Sequence, residues 1–520
     1  MTGTVLMLSV CVLLACIAAD ATTAGEGAAR MTGLLENEDC TDFFYTQKFP
    51  PGKAAEIADR YVDVLAGAGV TVLFCNTNSR RTNYRSDVWE SFWDGYDPDG
   101  PDDQAFLAPI PEKDRKRFRN MIHNMFEVHR QGVDYPARII ERCRHHGISP
   151  WISLRMNDVH CNDNLEHPFH SPLWRKPEFF RKGHPGYYAR GLDYAHAEVR
   201  DHYKALIVET LDRYDIDGLE LDFMREPYLF SKGEEQAGGK ILTQWLREVR
   251  KLVDQAAARR GHAVKVGVRI PSEPATALGL GLDAPTWAKE GLVDLVVATP
   301  RWRTMHFDIP LRKWRTLLGD RVTLAGGLET RCQPYIGAPV SNRDPEYAVG
   351  AAVAVLAGGA DVVYLFNYFQ NGRWSLADYQ RLLNAFKSLD ELCKLPRRHA
   401  VTPREIIVPG HDYRAPLPAS GSTLSFDLPL GPTPPAGWQA QAIIEVASQG
   451  TDAPAVSVNG VACALGKTDA LDNGNRVLTY SIPLNALPGH NSDTIAVTAA
   501  DGKPIKVMRV EARFAPPQGQ

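Results

Sequence analysis

The chain is predicted to fold as an α/β protein, a (β/α)8 barrel of the TIM type with a C-terminal all-β sandwich of jelly-roll-like form. Three observations predict it. First, short β-type runs alternate without a break with amphipathic helical runs or long loops, giving eight strands; such alternation means a parallel sheet, and eight units suit a closed barrel. Second, the stretch Asp217-Gly-Leu-Glu-Leu-Asp-Phe-Met-Arg-Glu-Pro227 places Leu219, Leu221 and Phe223 on one face and Gly218, Glu220 and Asp222 on the other. A strand with helices outside and acids inside the barrel has that pattern. Third, from Arg397 onward the sequence changes to short alternating strands divided by Pro, Gly and Asp turns, over about a hundred residues, as in a sandwich. The expected domains are a signal peptide at 1–21, a leader at 22–50, the barrel at 51–396 and the sandwich at 397–520.

The elements follow in order. Pro51–Ala68 is amphipathic, with Ala54, Ile57, Ala58, Tyr61, Val62 and Leu65 on one face, and leads into the strand Val70–Cys75. An aromatic insertion, Tyr84–Tyr96, then either caps the barrel or packs on its rim. The helix Pro136–His146 precedes the strand Ile148–Met156, and Leu192–Ala195 is read as the third strand. After the helix Ala197–Tyr214 comes the Asp217 strand, the fourth. Helix Lys240–Arg260, strand Val264–Ile270, a helix around Thr286–Glu290 and strand Val293–Ala298 continue the alternation. Leu311–Leu318, Val322–Leu328, Glu346–Ala357, Val362–Tyr368 and Leu376–Leu395 complete it. Sandwich strands are expected at Gln441–Ser448, Ala455–Val458, Val477–Ile482, Thr494–Ala499 and Ile505–Phe514.

Hydrophobic residues at 44% and charged residues at 23% of 520 are ordinary for a globular protein, and a net charge of −4 gives no reason to expect nucleic acid or an anionic membrane. The apolar run Val5–Ala19, followed by Ala19-Asp-Ala21, resembles a secretory signal, so export to the periplasm, cell surface or medium is expected. Leu13-Leu-Ala-Cys16 offers the alternative of a lipid anchor at Cys16. No later segment is suited to span a membrane. The seven cysteines beyond Cys16 are scattered and lack CxxC spacing, which argues against a zinc site or a disulfide framework.

Strand ends of a barrel converge on one pocket. They contribute Asn76, Asn157, Asp158, His160, Asp222, Arg225, Arg269, Glu273, Trp302, Glu329, Asn367 and Tyr368. Acids and amides bond sugar hydroxyls, and aromatic faces stack on the ring. Glycoside hydrolysis needs two carboxyl groups. Asp222 is the first; Glu329 is the preferred second, because Thr323, Ala325 and Gly327 leave space beneath it, and Glu273 is the alternative. Asn76, Asn157, Asp158, His160, Arg225, Arg269, Trp302, Asn367 and Tyr368 are expected to bind substrate. Glu220, one pleat deeper, is expected to be structural and ion-paired to Arg269 or Arg155. No metal and no cofactor is expected: there is no His-x-His strand end, no strand-end lysine suited to a Schiff base and no Gly-rich phosphate loop.

Asp217, Gly218, Leu221, Asp222, Arg225 and Pro227 keep the register of an Asp-Gly-Ile-x-Leu-Asp-Tyr-x-Arg-x-Pro strand, and Leu192-Asp-Tyr-Ala-His-Ala-Glu-Val-Arg200 is alike. In this the chain resembles glycosyl-hydrolase-like family 10 barrels, in a group of uncharacterised secreted bacterial proteins. The resemblance implies a catalytic role for Asp222 and none for Glu329. A weaker resemblance to chitinase-type family 18 places Met224 where that family carries its catalytic Glu, against substrate-assisted chemistry. Ser457-Val-Asn-Gly460 and Ile482–Gly489 look like loops of sugar-enzyme accessory domains. The expected function is that of an exported glycoside hydrolase with a poly- or oligosaccharide as substrate; the alternative is a non-catalytic carbohydrate-binding barrel.

Overall fold

The structure, a computed structural model, describes residues 30–370, 374–447, 452–487, 489 and 493–517. The expected signal peptide and Cys16 lie outside these residues. Eight parallel strands close a barrel: β1 (Leu34–Glu38), β2 (Val72–Asn76), β3 (Ser149–Arg155), β4 (Gly218–Asp222), β5 (Lys265–Pro271), β6 (Leu295–Thr299), β7 (Thr323–Leu328) and β8 (Val362–Phe366). Strand β1 pairs with both β2 and β8 and so closes the ring.

Two of the expected strand assignments change. The closing strand β1 falls in the stretch read as a polar leader. Its sequence, Leu-Leu-Glu-Asn-Glu, is fully buried, with the acids Glu36 and Glu38 where a strand under helices ordinarily carries apolar residues. Leu192–Ala195, expected as the third strand, is instead part of the long loop after β3, and Leu192 makes only an isolated bridge to Phe180. One strand gained and one lost leave the Asp222 strand in fourth place.

Alternation along each strand divides the core. Leu219 and Leu221 pack outward in the helix-facing core, and the interior is filled by Leu35, Phe74, Trp151, Leu295, Val297 and Tyr364 among others. Trp151 spreads over the floor because its neighbours are glycines: a Cβ on Gly218 would stand 2.3 Å from its ring and one on Gly267 2.9 Å. Larger residues would drive the indole off the floor on which Glu220 and Asp222 are stacked.

Most expected helices are present, among them Ala54–Gly67, Tyr135–His146, Ala197–Arg213, Glu235–Arg260 and Pro345–Ala357. Cys40–Thr46 and Glu112–Arg130 are additional to those expected, and the helix expected over Leu376–Leu395 is divided into Leu376–Ala385 and Leu389–Leu392. No described helix is long and apolar enough to cross a membrane. The aromatic insertion packs on the rim: Trp89 stacks on His202 at 4.1 Å and Trp93 on His129 at 5.2 Å, both indoles buried.

Beyond the barrel, one antiparallel sheet orders Arg397–Ala400, Ile505–Ala515, Gln439–Val446, Arg476–Ser481 and Ala464–Ala470, with Ala419–Gly421 also pairing on Ile505–Ala515. A second orders Thr423–Asp427, Thr494–Thr498, Ala455–Val458 and Val461–Ala462. The first sheet is fastened to the helix Pro345–Ala357: Tyr347 donates to Glu511 at 2.6 Å, and Arg513 clasps Glu346 at 2.7 and 2.8 Å.

Candidate active site

Asp222 ends β4 facing inward, opposite Arg269 in the register of β5. Its Oδ1 accepts the backbone N–H of Met224 at 2.9 Å, which fixes the carboxylate at the strand's exit. The Arg269 guanidinium spans the mouth: Nη1 lies 3.2 and 3.3 Å from the Asp222 oxygens, and Nη2 donates to Glu329 Oε1 at 2.9 Å. One fork therefore holds both carboxylates. The three side chains are 1%, 2% and 4% exposed, so the pairing is almost dry and energetically strong in both directions.

Glu329 follows β7, whose inward positions Ala325 and Gly327 are small. A Cβ on Gly327 would stand 2.2 Å from Thr299 Oγ1, so the glycine permits the close approach of β6 and β7 beneath the acid. Burial pushes the Glu329 carboxyl up to about 7, against the pull of Arg269 and Arg225.

Glu220 corrects one expectation. It lies a pleat below Asp222, in register with Gly267, so Arg269 sits one level above it. Arg269 bonds Asp222 and Glu329 instead, and Arg155 bonds Asp39 and Asp158. The donors to Glu220 Oε1 are neutral: Asn37 at 2.8 Å, Ser153 at 2.7 Å and Tyr364 at 3.1 Å. Burial first, then the charge of Asp222, pushes Glu220 up to about 7.

Two further arginines surround this centre, each holding two acids. Arg155 lies 2.5 Å from Asp39 and 3.0 Å from Asp158. Burial opposes the charge on Asp158, but His160 at 2.8 Å and Arg155 outweigh it and hold the carboxyl well below its ordinary range. Arg301 lies 2.6 Å from Glu226 and 3.2 Å from Glu405. Tyr187 donates to Glu226 at 3.1 Å and Tyr188 to Glu405 at 3.0 Å, so the loop after β3 is tied over the mouth. Glu226 is wholly buried at φ +92°, a backbone state costly for a residue with a Cβ and kept only where the surroundings enforce it.

The other predicted residues divide. Glu273 is not brought to the acid pair: beyond Pro271 the chain turns into the helix Pro274–Gly279, and Glu273 pairs with Arg404 at 2.8 Å. The buried Asn157 is occupied within the protein, donating to Leu192 O at 2.9 Å and Tyr228 O at 3.2 Å. Asn76 donates to Ser153 O at 3.3 Å, and Asn367 accepts from the Asp39 N–H at 2.8 Å. These three amides anchor backbone rather than face a ligand. Tyr368 donates to Glu329 O at 3.1 Å and so steadies the acid. At the rim, His160 is partly exposed and Trp302 is 42% exposed. Arg225 is buried beside Phe366.

Sequence reasoning missed Asn37 and Asp39 with strand β1, and Glu405 in the segment leaving the barrel. Glu226 had a signal: an acid directly before proline, four residues past Asp222, is held close to the strand exit. Among the described residues no group of three or more His, Cys, Asp or Glu is placed to hold a metal ion.

No protein-family model matches the chain. No curated protein matches it either. Solved structures do resemble it. Alpha-L-fucosidase isoenzyme 2 from Paenibacillus thiaminolyticus is 14% identical at TM-score 0.39, over 69% of this chain and 49% of that one. The PgaB (BpsB) glycoside hydrolase domain from Bordetella bronchiseptica is 10% identical at 0.38, over 68% and 99%. The maltogenic alpha-amylase AmyB from Thermotoga neapolitana is 10% identical at 0.36, over 91% and 98%. The chain spans about half the length of that fucosidase. Likeness at this level decides nothing about chemistry; the residues of the mouth must do so.

Proposed function

We propose that the barrel mouth is the active site of a glycoside hydrolase acting on a poly- or oligosaccharide outside the cytoplasm. The observation that carries this reading is the pairing of Asp222 and Glu329 by the single guanidinium of Arg269. It brings two carboxyl groups to one guanidinium at the barrel mouth, and a two-carboxyl mechanism is what most glycosidases use. Glu329, pushed up to about 7, retains a proton near neutral pH and is suited to protonate the leaving glycosidic oxygen. Asp222, hydrogen-bonded to the Met224 N–H and facing Arg269, is the nucleophile or the base that activates water. Trp302 supplies an exposed ring at the rim for a sugar face. The resemblance of the β4 strand to glycosyl-hydrolase-like family 10 points to the same aspartate.

A second reading, a non-catalytic carbohydrate-binding barrel, is favoured by one observation: both acids are nearly inaccessible and locked to the same arginine. Catalysis requires the loop held by Tyr187 and Tyr188 to open before a sugar reaches them. A screen of reducing-end release from a glycan library, with wild type and Asp222→Asn, separates the two. The hydrolase reading expects release by wild type and a loss of about a hundredfold or more in the variant; release unchanged by Asp222→Asn removes Asp222 and the reading with it.

A further inference from the structure

Among the buried arginines of the described residues, four lie on a barrel strand or within three residues of its C-terminal end: Arg155, Arg225, Arg269 and Arg301. Arg155, Arg269 and Arg301 each hold two carboxylates. Arg225 holds none. It is 6% exposed, its Nε is enclosed without an acceptor, and it forms no hydrogen bond or ion pair among the described residues. Its guanidinium stands 5.6 Å from the centre of the Phe366 ring, and Arg269 stands 3.9 Å from the same ring. Arg225 thus shares an aromatic neighbour with Arg269, and its charge acts on Glu329.

A guanidinium offers five N–H donors; in Arg225 the one on Nε is enclosed and unmatched, which is costly. The nearby acids feel its charge but accept none of its donors: Asp158 is bonded by Arg155 and His160, and Glu329 by Arg269. A sugar hydroxyl would meet one or two of the donors, whereas a planar carboxylate or a sulfate matches the fork in pairs. A second observation at the rim agrees. The exposed ring of Trp302 has Arg331 at 4.3 Å and Arg303 at 6.0 Å, and Arg331 forms no ion pair among the described residues. One face of the indole is therefore covered by the Arg331 guanidinium, and a sugar stacking on the other would sit beside cationic groups.

We infer that Arg225 is the counter-ion for an acidic sugar, a residue bearing a carboxylate or a sulfate, bound next to Asp222 and Glu329. This rests on the glycosidase reading for its catalytic consequence, but not for the binding itself. The experiment uses the mature protein and three sets of oligosaccharides, uronate-bearing, sulfated and neutral. Hydrolysis is measured with wild type, Arg225→Gln and Arg225→Lys, and calorimetric binding with Asp222→Asn alone and combined with Arg225→Gln; thermal melts establish that each variant folds.

If one acidic set is cleaved, Arg225→Gln is expected to raise KM for it by about thirtyfold or more and KM for neutral substrates at most severalfold; a change in kcat common to both sets reports the pull of Arg225 on Glu329. Arg225→Lys, which keeps the charge and loses the fork, should fall between. The set that responds tells carboxylate from sulfate. Cleavage of neutral sugars alone, or equal rises in KM on acidic and neutral sets, overturns the inference and leaves the hydrolase reading intact. Binding of acidic sugars that depends on Arg225, with no cleavage of any set, upholds the inference and overturns the hydrolase reading. Neither binding nor cleavage of acidic sugars overturns the inference.

Discussion

Two sets of buried carboxylates lie on opposite faces of the same sheet. Inside the mouth, Asp222 and Glu329 share Arg269. On the outer face of β1, Glu36 and Glu38 lie under the helices with no ion pair among the described residues. Burial dominates the second set: it raises Glu36 well above its ordinary range, helped by the charge of Glu38, and pushes Glu38 up to about 8 despite a hydrogen bond from Tyr61. Equal burial thus gives two kinds of acid. In the mouth, Arg269 opposes the effect of burial on Glu329 and leaves its carboxyl at about 7; on the outer face no ion pair among the described residues does so for Glu36 or Glu38.

The largest expected effect is the removal of the shared arginine. Arg269→Leu leaves two buried acids without their cation and should cost about 3–5 kcal/mol in urea unfolding at pH 7; a loss below about 1 kcal/mol would show that the mouth acids are no different from Glu36 and Glu38. Next comes Glu38→Gln. Its carboxyl titrates at about 8 folded against an ordinary 4.5, so the folded state holds the proton more tightly. Its contribution is fully present below about 4.5 and is lost as pH rises through about 8. Glu38→Gln should therefore be near neutral at pH 5 and gain on the order of 3 kcal/mol over wild type at pH 9. A constant difference across that range would contradict the contrast.

The pH dependence of turnover sharpens the comparison from the other side. With Glu329 as the acid, kcat should fall as pH rises past about 7, and this limb should vanish from the residual activity of Glu329→Gln. An alkaline limb that persists in the variant belongs to another group. The smallest effect is expected from Tyr187→Phe, which removes one hydrogen bond to Glu226. It should change KM by about twofold to tenfold with folding unaffected; a change in kcat alone would place Tyr187 in the chemistry.

Much of the barrel was legible because short apolar runs such as Val72–Asn76, Leu295–Thr299 and Val362–Phe366 alternate with longer helical runs. Strand β1 was not, since two of its five residues are outward acids that make the stretch read as leader, and Leu192–Ala195 has a strand's composition but lacks a partner along its length. At the site, Asp222 stood out by period 2, and Glu329 by the small residues that precede it. The bridging role of Arg269 was not legible, because it depends on which pleat of β4 faces which pleat of β5, a matter of register. Glu405 could not be found from local sequence at all: it comes from the segment beyond the barrel and is drawn to the mouth by Arg301.

The most direct test of the acid pair is a double-mutant cycle in glycoside hydrolysis, measured on whichever library member wild type cleaves. Asp222→Asn and Glu329→Gln should each lose on the order of a hundredfold or more, and the double variant should be little worse than the poorer single, because the two groups act as a unit. Singles that stay within a few-fold of wild type, or losses that simply multiply, would contradict a pair working across Arg269.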